Sequence, residues 1–178
     1  MRKLKFNALV ASACFALCSV SHADSGHGTI TFKGTIIDAP CSISFQDANQ
    51  TVQLGQISRT SLVNTGSSVP RDFTITLEQC DASVVGKKAH AAFTGVTAGT
   101  DLLAVSASAG DVGVRLTSDL GTNIAINGPA WQSGNLVQGD NVLHFKAMLK
   151  TIAPAAPATV TVNEGDFTGQ ANFTLSYL

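Results

Sequence analysis

The sequence predicts an all-β protein built as a sandwich of two sheets. Short runs of alternating apolar and polar residues recur between segments rich in Gly, Ser, Asn and Pro, and a period of two is typical of strands with one buried face. No segment has the apolar periodicity of an amphipathic helix of three turns. Charged residues make up only 13% of the chain, and its many Thr and Val residues favour strands over helices.

Residues 1–23 have the organisation of a secretory signal peptide. Basic side chains in the first five positions precede an apolar stretch, and Ser21 and Ala23 supply the small residues that a signal peptidase requires. The apolar stretch is too short for a membrane anchor. We therefore expect cleavage after Ala23, which leaves a length sufficient for one domain with a hydrophobic core.

The predicted mature chain contains two cysteines, Cys41 and Cys80, because Cys14 and Cys18 belong to the signal peptide. Two thiols in an oxidising compartment predict one disulfide. On the entropy model this bond would stabilise the fold by roughly 3–4 kcal/mol. A redox or metal-binding pair is the alternative, but the cysteines lack CxxC spacing and nearby histidines.

Charge and residue spacing exclude several classes of function. Lys and Arg are not clustered, and the mature chain is acidic, so a nucleic-acid partner is not expected. The histidines His27, His90 and His144 lack the spacing of metal ligands, and the pair Glu164 and Asp166 falls in a predicted solvated turn. We therefore expect neither an enzyme nor a bound cofactor.

The predicted strands in the body of the chain come from alternating apolar runs. In the first run, Ile43 and Phe45 share a face, and Phe45 is expected to meet Phe145 in the core. Gly55 is expected to mark a bulge in the second run, and Trp131 falls in a predicted connection. The runs lie at 42–45, 51–57, 73–77, 112–116, 123–126, 141–150 and 160–162.

Two further alternating runs lie at the ends of the mature chain. Residues 28–36 place three apolar side chains on one face, and no partner run follows closely. Residues 171–177 also alternate, and the sequence ends at Leu178, so no later strand can cover this one. The first run could pair within its own domain as an ordinary first strand, or it could be donated to another molecule.

These segments resemble the pilin subunits of chaperone–usher fimbriae of the type 1 and P kinds. The resemblance covers essentially the whole mature chain and depends on four features in order. They are the front "GTITFKGTIIDAPCSI", the Cys41 and Cys80 pair followed by Asp81, the segment "VQLGQI", and the end "FTLSYL" with its penultimate Tyr177. Together they imply an incomplete immunoglobulin-like sandwich that lacks its last strand. A donor strand from a chaperone or a neighbouring subunit completes it, an established case of strand addition.

The resemblance also implies the roles of individual segments. Residues 24–39 would be an N-terminal donor-strand extension, and residues 40–178 the pilin domain. Gly34 would lie where the acceptor groove has no room for a side chain, and Ile36 would enter the pocket where strand exchange begins. The implied donor strand comprises Gly28, Ile30, Phe32, Gly34 and Ile36, and the implied groove and chaperone contacts are Phe173, Leu175, Tyr177 and Leu178.

The function implied by the resemblance is that of a structural subunit of a surface fimbria. It would fold with a periplasmic chaperone, pass through an outer-membrane usher, and polymerise with other pilin subunits outside a Gram-negative cell. The alternatives are a minor adaptor or terminator pilin and a receptor-binding fimbrial adhesin. A fimbrial adhesin would be expected to carry an additional lectin domain and to lack a donor strand.

Overall fold

The computed structural model describes residues 27–152 and 160–178. The predicted signal peptide, residues 1–23, lies outside the described residues. The chain divides into two units, residues 1–37 and 38–178. None of the described helices has the length and apolar character that crossing a membrane would require.

The described part of the first unit is an extension without regular secondary structure. Residues 27–37 belong to no helix or strand, and all of them are exposed, although apolar and polar residue types alternate in this part of the sequence. The apolar side chains of Ile30, Phe32 and Ile36 are 78, 88 and 101% exposed. A strand requires a hydrogen-bonded partner in addition to a side-chain pattern, so the alternation alone does not make this segment a strand.

The described residues of the second unit form two antiparallel sheets. The large sheet has the order β1-β2-β9-β6-β5-β4, with β7 paired to β6, and the small sheet has the order β10-β3-β8. The strands are β1 (Ser42–Ile43), β2 (Arg71–Cys80), β3 (Lys88–Gly95), β4 (Thr97–Ala98), β5 (Leu102–Ala104), β6 (Val112–Ser118), β7 (Asn123–Ile124), β8 (Trp131–Asn135), β9 (Gly139–Thr151) and β10 (Ala171–Tyr177). Short helices lie at α1 (Phe45–Ala48) and α2 (Arg59–Thr65), with 3₁₀ turns at Ala82–Val84 and Ala107–Ala109.

An aromatic cluster centred on Phe145 occupies the core between the sheets. Phe145 is 1% exposed, and its ring centroid lies 5.4 Å from those of Phe73 and Phe93 and 4.9 Å from that of Trp131. These rings come from both sheets, so the cluster joins the two layers. The predicted inward faces of 73–77 and 141–150 are confirmed, since β2 and β9 bury them here.

The predicted disulfide is confirmed between Cys41 and Cys80. It joins the start of the second unit to the end of β2, and both cysteines are buried. The bond spans 39 residues, a loop for which the entropy model gives about 3–4 kcal/mol of stabilisation.

The predicted position of Phe45 is wrong. Phe45 begins α1 and is 88% exposed, whereas the expected strand ends at Ile43. The chain turns because the backbone N–H groups of Asp47 and Ala48 both donate to the carbonyl oxygen of Ser44.

The predicted strands at 51–57 and 160–162 are also wrong. Val52, Leu54 and Ile57 are half-buried against the core, but their segment pairs with no strand of the described chain. Gly55 has φ +75°, a left-handed conformation that glycine tolerates. In the second segment only Val162 makes a single bridge.

The sequence pattern did not predict two strands of the small sheet, β3 and β8. β3 buries Ala89, Ala91 and Phe93 on one face, but alanine contributes little to an apolar pattern. Trp131 begins β8 rather than lying in a connection.

Core packing predicts a large difference between two phenylalanines. We expect Phe145→Ala to lower the free energy of unfolding by about 3–5 kcal/mol, because it leaves a cavity in the aromatic cluster. The matched change Phe45→Ala should alter this free energy by less than about 0.5 kcal/mol, because the ring is exposed. Denaturant unfolding of the two variants tests this, and equal losses would contradict the described core.

Candidate functional site

The strand β10 has one open edge. It lies at the end of the small sheet and pairs on one side with β3, where Phe173 lies opposite Phe93 and Leu175 opposite Ala91. No strand of the described chain pairs with its other side. β10 is therefore an edge strand, and such strands can accept a further strand.

The hydrogen-bond pattern identifies which backbone groups of β10 are unpaired. Lys88 and Leu178 exchange two backbone hydrogen bonds, of 2.8 and 3.1 Å. In an antiparallel ladder such pairs alternate along the strands, so every second residue counted back from Leu178 faces β3. The N–H and C=O groups of the residues between them, Phe173, Leu175 and Tyr177, therefore point to the open edge.

A large groove lies beside this edge, wholly within the second unit. Its volume is about 1370 Å³. Its apolar floor comes from the inner faces of β2, β6 and β9, and its two sides from residues 47–57 and 162–173. Floor residues include Phe73, Ile75, Leu116, Ala147 and Leu149. A strand laid along the open edge with alternate apolar side chains would cover this floor.

The inner face of β10 is only half-buried. Phe173 packs against Phe93 with the ring centroids 6.4 Å apart, and Leu175 and Tyr177 also contact the core while remaining partly exposed. Burial raises the pKa of the Tyr177 phenol, because a charged phenolate is poorly solvated there. Burial therefore favours the neutral phenol of Tyr177 over the phenolate.

The structure brings together part of the predicted groove. Phe173, Leu175 and Tyr177 share one face of β10, and Phe173 lines the groove, but Leu175 and Tyr177 lie beyond its lining. The side chain of Leu178 is 75% exposed. Among the predicted donor residues, Gly34 is open, with no atom near the place of a Cβ.

Sequence reasoning missed most of the groove. Its floor combines residues from three strands, and one of its sides includes Phe167 and Val162 from an irregular segment. The alternation of β2 and β9 marked their inner faces as core, but it carried no indication that a groove lies against part of this face. The segment around Phe167 has no periodic pattern that could have indicated its role.

The residues described here offer little for metal chemistry. No three His, Cys, Asp or Glu side chains within 27–152 and 160–178 lie close enough together to hold a metal ion. Arg115 and Asp101 form an ion pair at 2.9 Å, and neither residue lines the groove. The apolar floor of the groove and the open edge of β10 instead suit the binding of an extended apolar chain.

Comparisons with known proteins agree with this geometry. The family model for fimbrial proteins matches residues 30–178. The chain is 42% identical to the Fimbria A protein of Serratia marcescens, over 98% of this chain and 99% of the relative. It is 38% identical to the PRS fimbrial major pilin protein of Escherichia coli, over 87% of this chain and 97% of the relative.

Solved structures show the same fold. One solved structure is that of a chaperone–usher pilus, determined to explain the uncoiling of its rod. A chain of that structure superposes on this chain with a TM-score of 0.71 and 35% sequence identity, over 87% of this chain and 98% of that one. The predicted incomplete immunoglobulin-like sandwich is thereby confirmed. The chain belongs to the fimbrial protein family.

Proposed function

We propose that this chain is a structural subunit of an extracellular fimbria whose copies polymerise by strand donation. Residues 28–36 of one copy fill the groove beside β10 of the next. The observation that carries this proposal is the open edge of β10, where Phe173, Leu175 and Tyr177 present unpaired backbone groups beside an apolar groove of about 1370 Å³. The resemblance to named major pilins supports it.

The chemistry of the extension matches that of the groove. Ile30, Phe32 and Ile36 are exposed in the described chain, and their alternation places them on one face of an extended segment. Burying the three side chains would contribute roughly 5–9 kcal/mol, and each backbone hydrogen bond to β10 about 0.5–1.5 kcal/mol. This total is comparable to the net stability of a whole domain, about 5–15 kcal/mol.

Individual residues of the extension have distinct proposed roles. Gly34 lies opposite a part of the groove that leaves no space for a side chain, and Ile36 enters the pocket where exchange begins. The division between the two units after Ile37 supports a donor-strand extension at 24–39 and a pilin domain at 40–178.

Before the subunit polymerises, a strand from another protein must occupy its open groove. We propose that a periplasmic chaperone lends a strand to the groove and that basic residues of the chaperone bind the carboxylate of Leu178. An outer-membrane usher then receives the complex, and the extension of the next subunit replaces the lent strand. Solved chaperone–usher pilus chains with this fold support these partners. The role is structural, because strand replacement needs no catalytic residue or cofactor in this chain.

Minor adaptor, terminator and adhesin roles are the alternatives. The similarity to a relative named as a major pilin favours the fimbrial rod. The match to the Serratia protein, which is named a fimbria protein, extends over nearly the full length of both chains.

Peptide exchange tests the proposed role of Gly34. The full chain is co-expressed with its cognate chaperone, and a peptide covering residues 24–39 is added to the one-to-one complex. We expect slow displacement of the chaperone and a product that resists denaturant. The Gly34→Ile peptide should fail to displace the chaperone, because its added side chain overfills the groove. The control peptide Thr31→Ile should still displace the chaperone, because residue 31 points outward.

Size-exclusion chromatography of the mixtures measures the displacement. Equal displacement by the two isoleucine peptides would contradict the assigned face. A stable monomer that needs no chaperone and ignores all peptides would contradict strand donation itself.

Substitutions in the extension of the full chain test polymerisation. Replacing the three inward apolar residues with serine removes roughly 5–9 kcal/mol of burial per junction, so fimbriae should be absent or much shorter by electron microscopy. A matched control replaces three outward threonines and should polymerise normally. The test variant carries Ile30→Ser, Phe32→Ser and Ile36→Ser. The control variant carries Thr29→Ser, Thr31→Ser and Thr35→Ser. Fimbriae of equal length in both would show that burial of this face does not join the copies.

A further inference from the structure

The sandwich has a second incompletely paired sheet edge, along β2. On that side, β1 pairs only with Leu77 and Glu78, so the stretch from Arg71 to Thr76 has no strand partner there within the described chain. An extended segment arriving at the sandwich could in principle pair with this edge as well as with β10.

Side chains occupy the β2 edge in place of a strand. The backbone N–H of Thr76 donates to Asp47 Oδ2 at 2.7 Å, and the carbonyl oxygen of Thr74 accepts from Gln50 Nε2 at 2.8 Å. The carbonyl of Thr76 accepts from the backbone N–H of Ser44 at 2.9 Å. The carboxylate of Asp47 thus replaces a strand carbonyl, and the amide of Gln50 replaces a strand N–H.

The turn at α1 places these two side chains. The N–H groups of Asp47 and Ala48 donate to the carbonyl oxygen of Ser44 at 3.0 and 2.9 Å. The chain therefore turns here, and it does not continue as a strand along β2. Gln50 Nε2 also lies 3.4 Å from the carbonyl oxygen of Asp47. The turn therefore ends β1 and directs the Asp47 side chain back to β2.

Among residues 27–152 and 160–178, no side chain forms such a cap on the β10 edge. In the part of the chain that the structure describes, no side chain hydrogen-bonds to the backbone of Phe173, Leu175 or Tyr177 on the open side. The two edges therefore differ, since a strand can bind β10 directly but must displace side-chain hydrogen bonds from β2. The bond to Asp47 is charge-assisted, and such bonds are stronger than neutral ones.

We propose that Asp47 and Gln50 are positioning residues that close the β2 edge and so direct a donated strand to β10. Both residues are part of the groove lining, so a strand entering the groove passes close to them. The inference depends on the proposed function, because it concerns which edge receives the donor.

Disulfide trapping measures the choice of edge. The chaperone complex of the full chain carries one introduced cysteine, either Thr174→Cys on the outer face of β10 or Thr74→Cys on β2. Peptides covering residues 24–39 carry a cysteine at position 29, 31 or 35, which samples the possible registers. Cys41 and Cys80 are already paired, and Cys14 and Cys18 are removed with the predicted signal peptide, so only the introduced thiols of the secreted chain react under mild oxidation.

Trapping is compared in three backgrounds. The native sequence should give at least about tenfold more product at β10 than at β2, because the side chains of Asp47 and Gln50 cap part of the β2 edge and no described side chain caps β10. Asp47→Ala with Gln50→Ala should lower this ratio about tenfold by exposing Thr74 and Thr76. Asp47→Asn is the matched control, and it should lower the ratio much less than the double alanine variant, because its amide oxygen can still accept from Thr76 although the bond is no longer charge-assisted.

The outcomes separate this inference from the proposed function. If the double variant keeps the native ratio of β10 to β2 product, with trapping still at β10, the proposed role of Asp47 and Gln50 is overturned. Strand donation is not affected by that result. Absence of trapping at both edges in the native background would overturn strand donation. If the double variant is not recovered with the chaperone, Gln50→Ala alone decides: a lowered ratio supports the inference, and a native ratio overturns it.

Discussion

The organising constraint in this protein is that the small sheet has one strand fewer than its core requires. The inner face of β10 is half-buried, and Phe173, Leu175 and Tyr177 have backbone groups with no ladder partner in the described chain. Unpaired backbone groups beside exposed apolar surface are unfavourable. On the proposed function, stability and assembly are therefore coupled, because another molecule supplies the strand that completes the fold.

The fold could be predicted where local pattern and tertiary environment agree. β2 and β9 pair with each other in the large sheet, and Ile75 and Phe145 lie on faces that the alternation identified. The prediction failed for Phe45, because the turn that ends β1 depends on hydrogen bonds to Ser44 rather than on apolar spacing. It missed β3, whose buried face is built largely from alanine.

The candidate site was predictable only in part, for a related reason. The terminal alternation indicated the inner face of β10, and the family resemblance indicated the donor residues. The groove floor and the cap on β2 arise from contacts between distant residues, such as the bond from Thr76 to Asp47 across 29 positions. Sequence periodicity reports which face of a strand is apolar, but it does not report which edge lacks a neighbour.

The structure of the assembled fimbria tests the central claim most directly. A map by electron cryo-microscopy that resolves side chains would locate residues 28–36 of every copy. The account predicts that this segment forms a ladder with the open edge of β10 in the adjacent copy, with Ile30, Phe32 and Ile36 over the groove floor. Residues 28–36 paired with β10 of their own copy would contradict it.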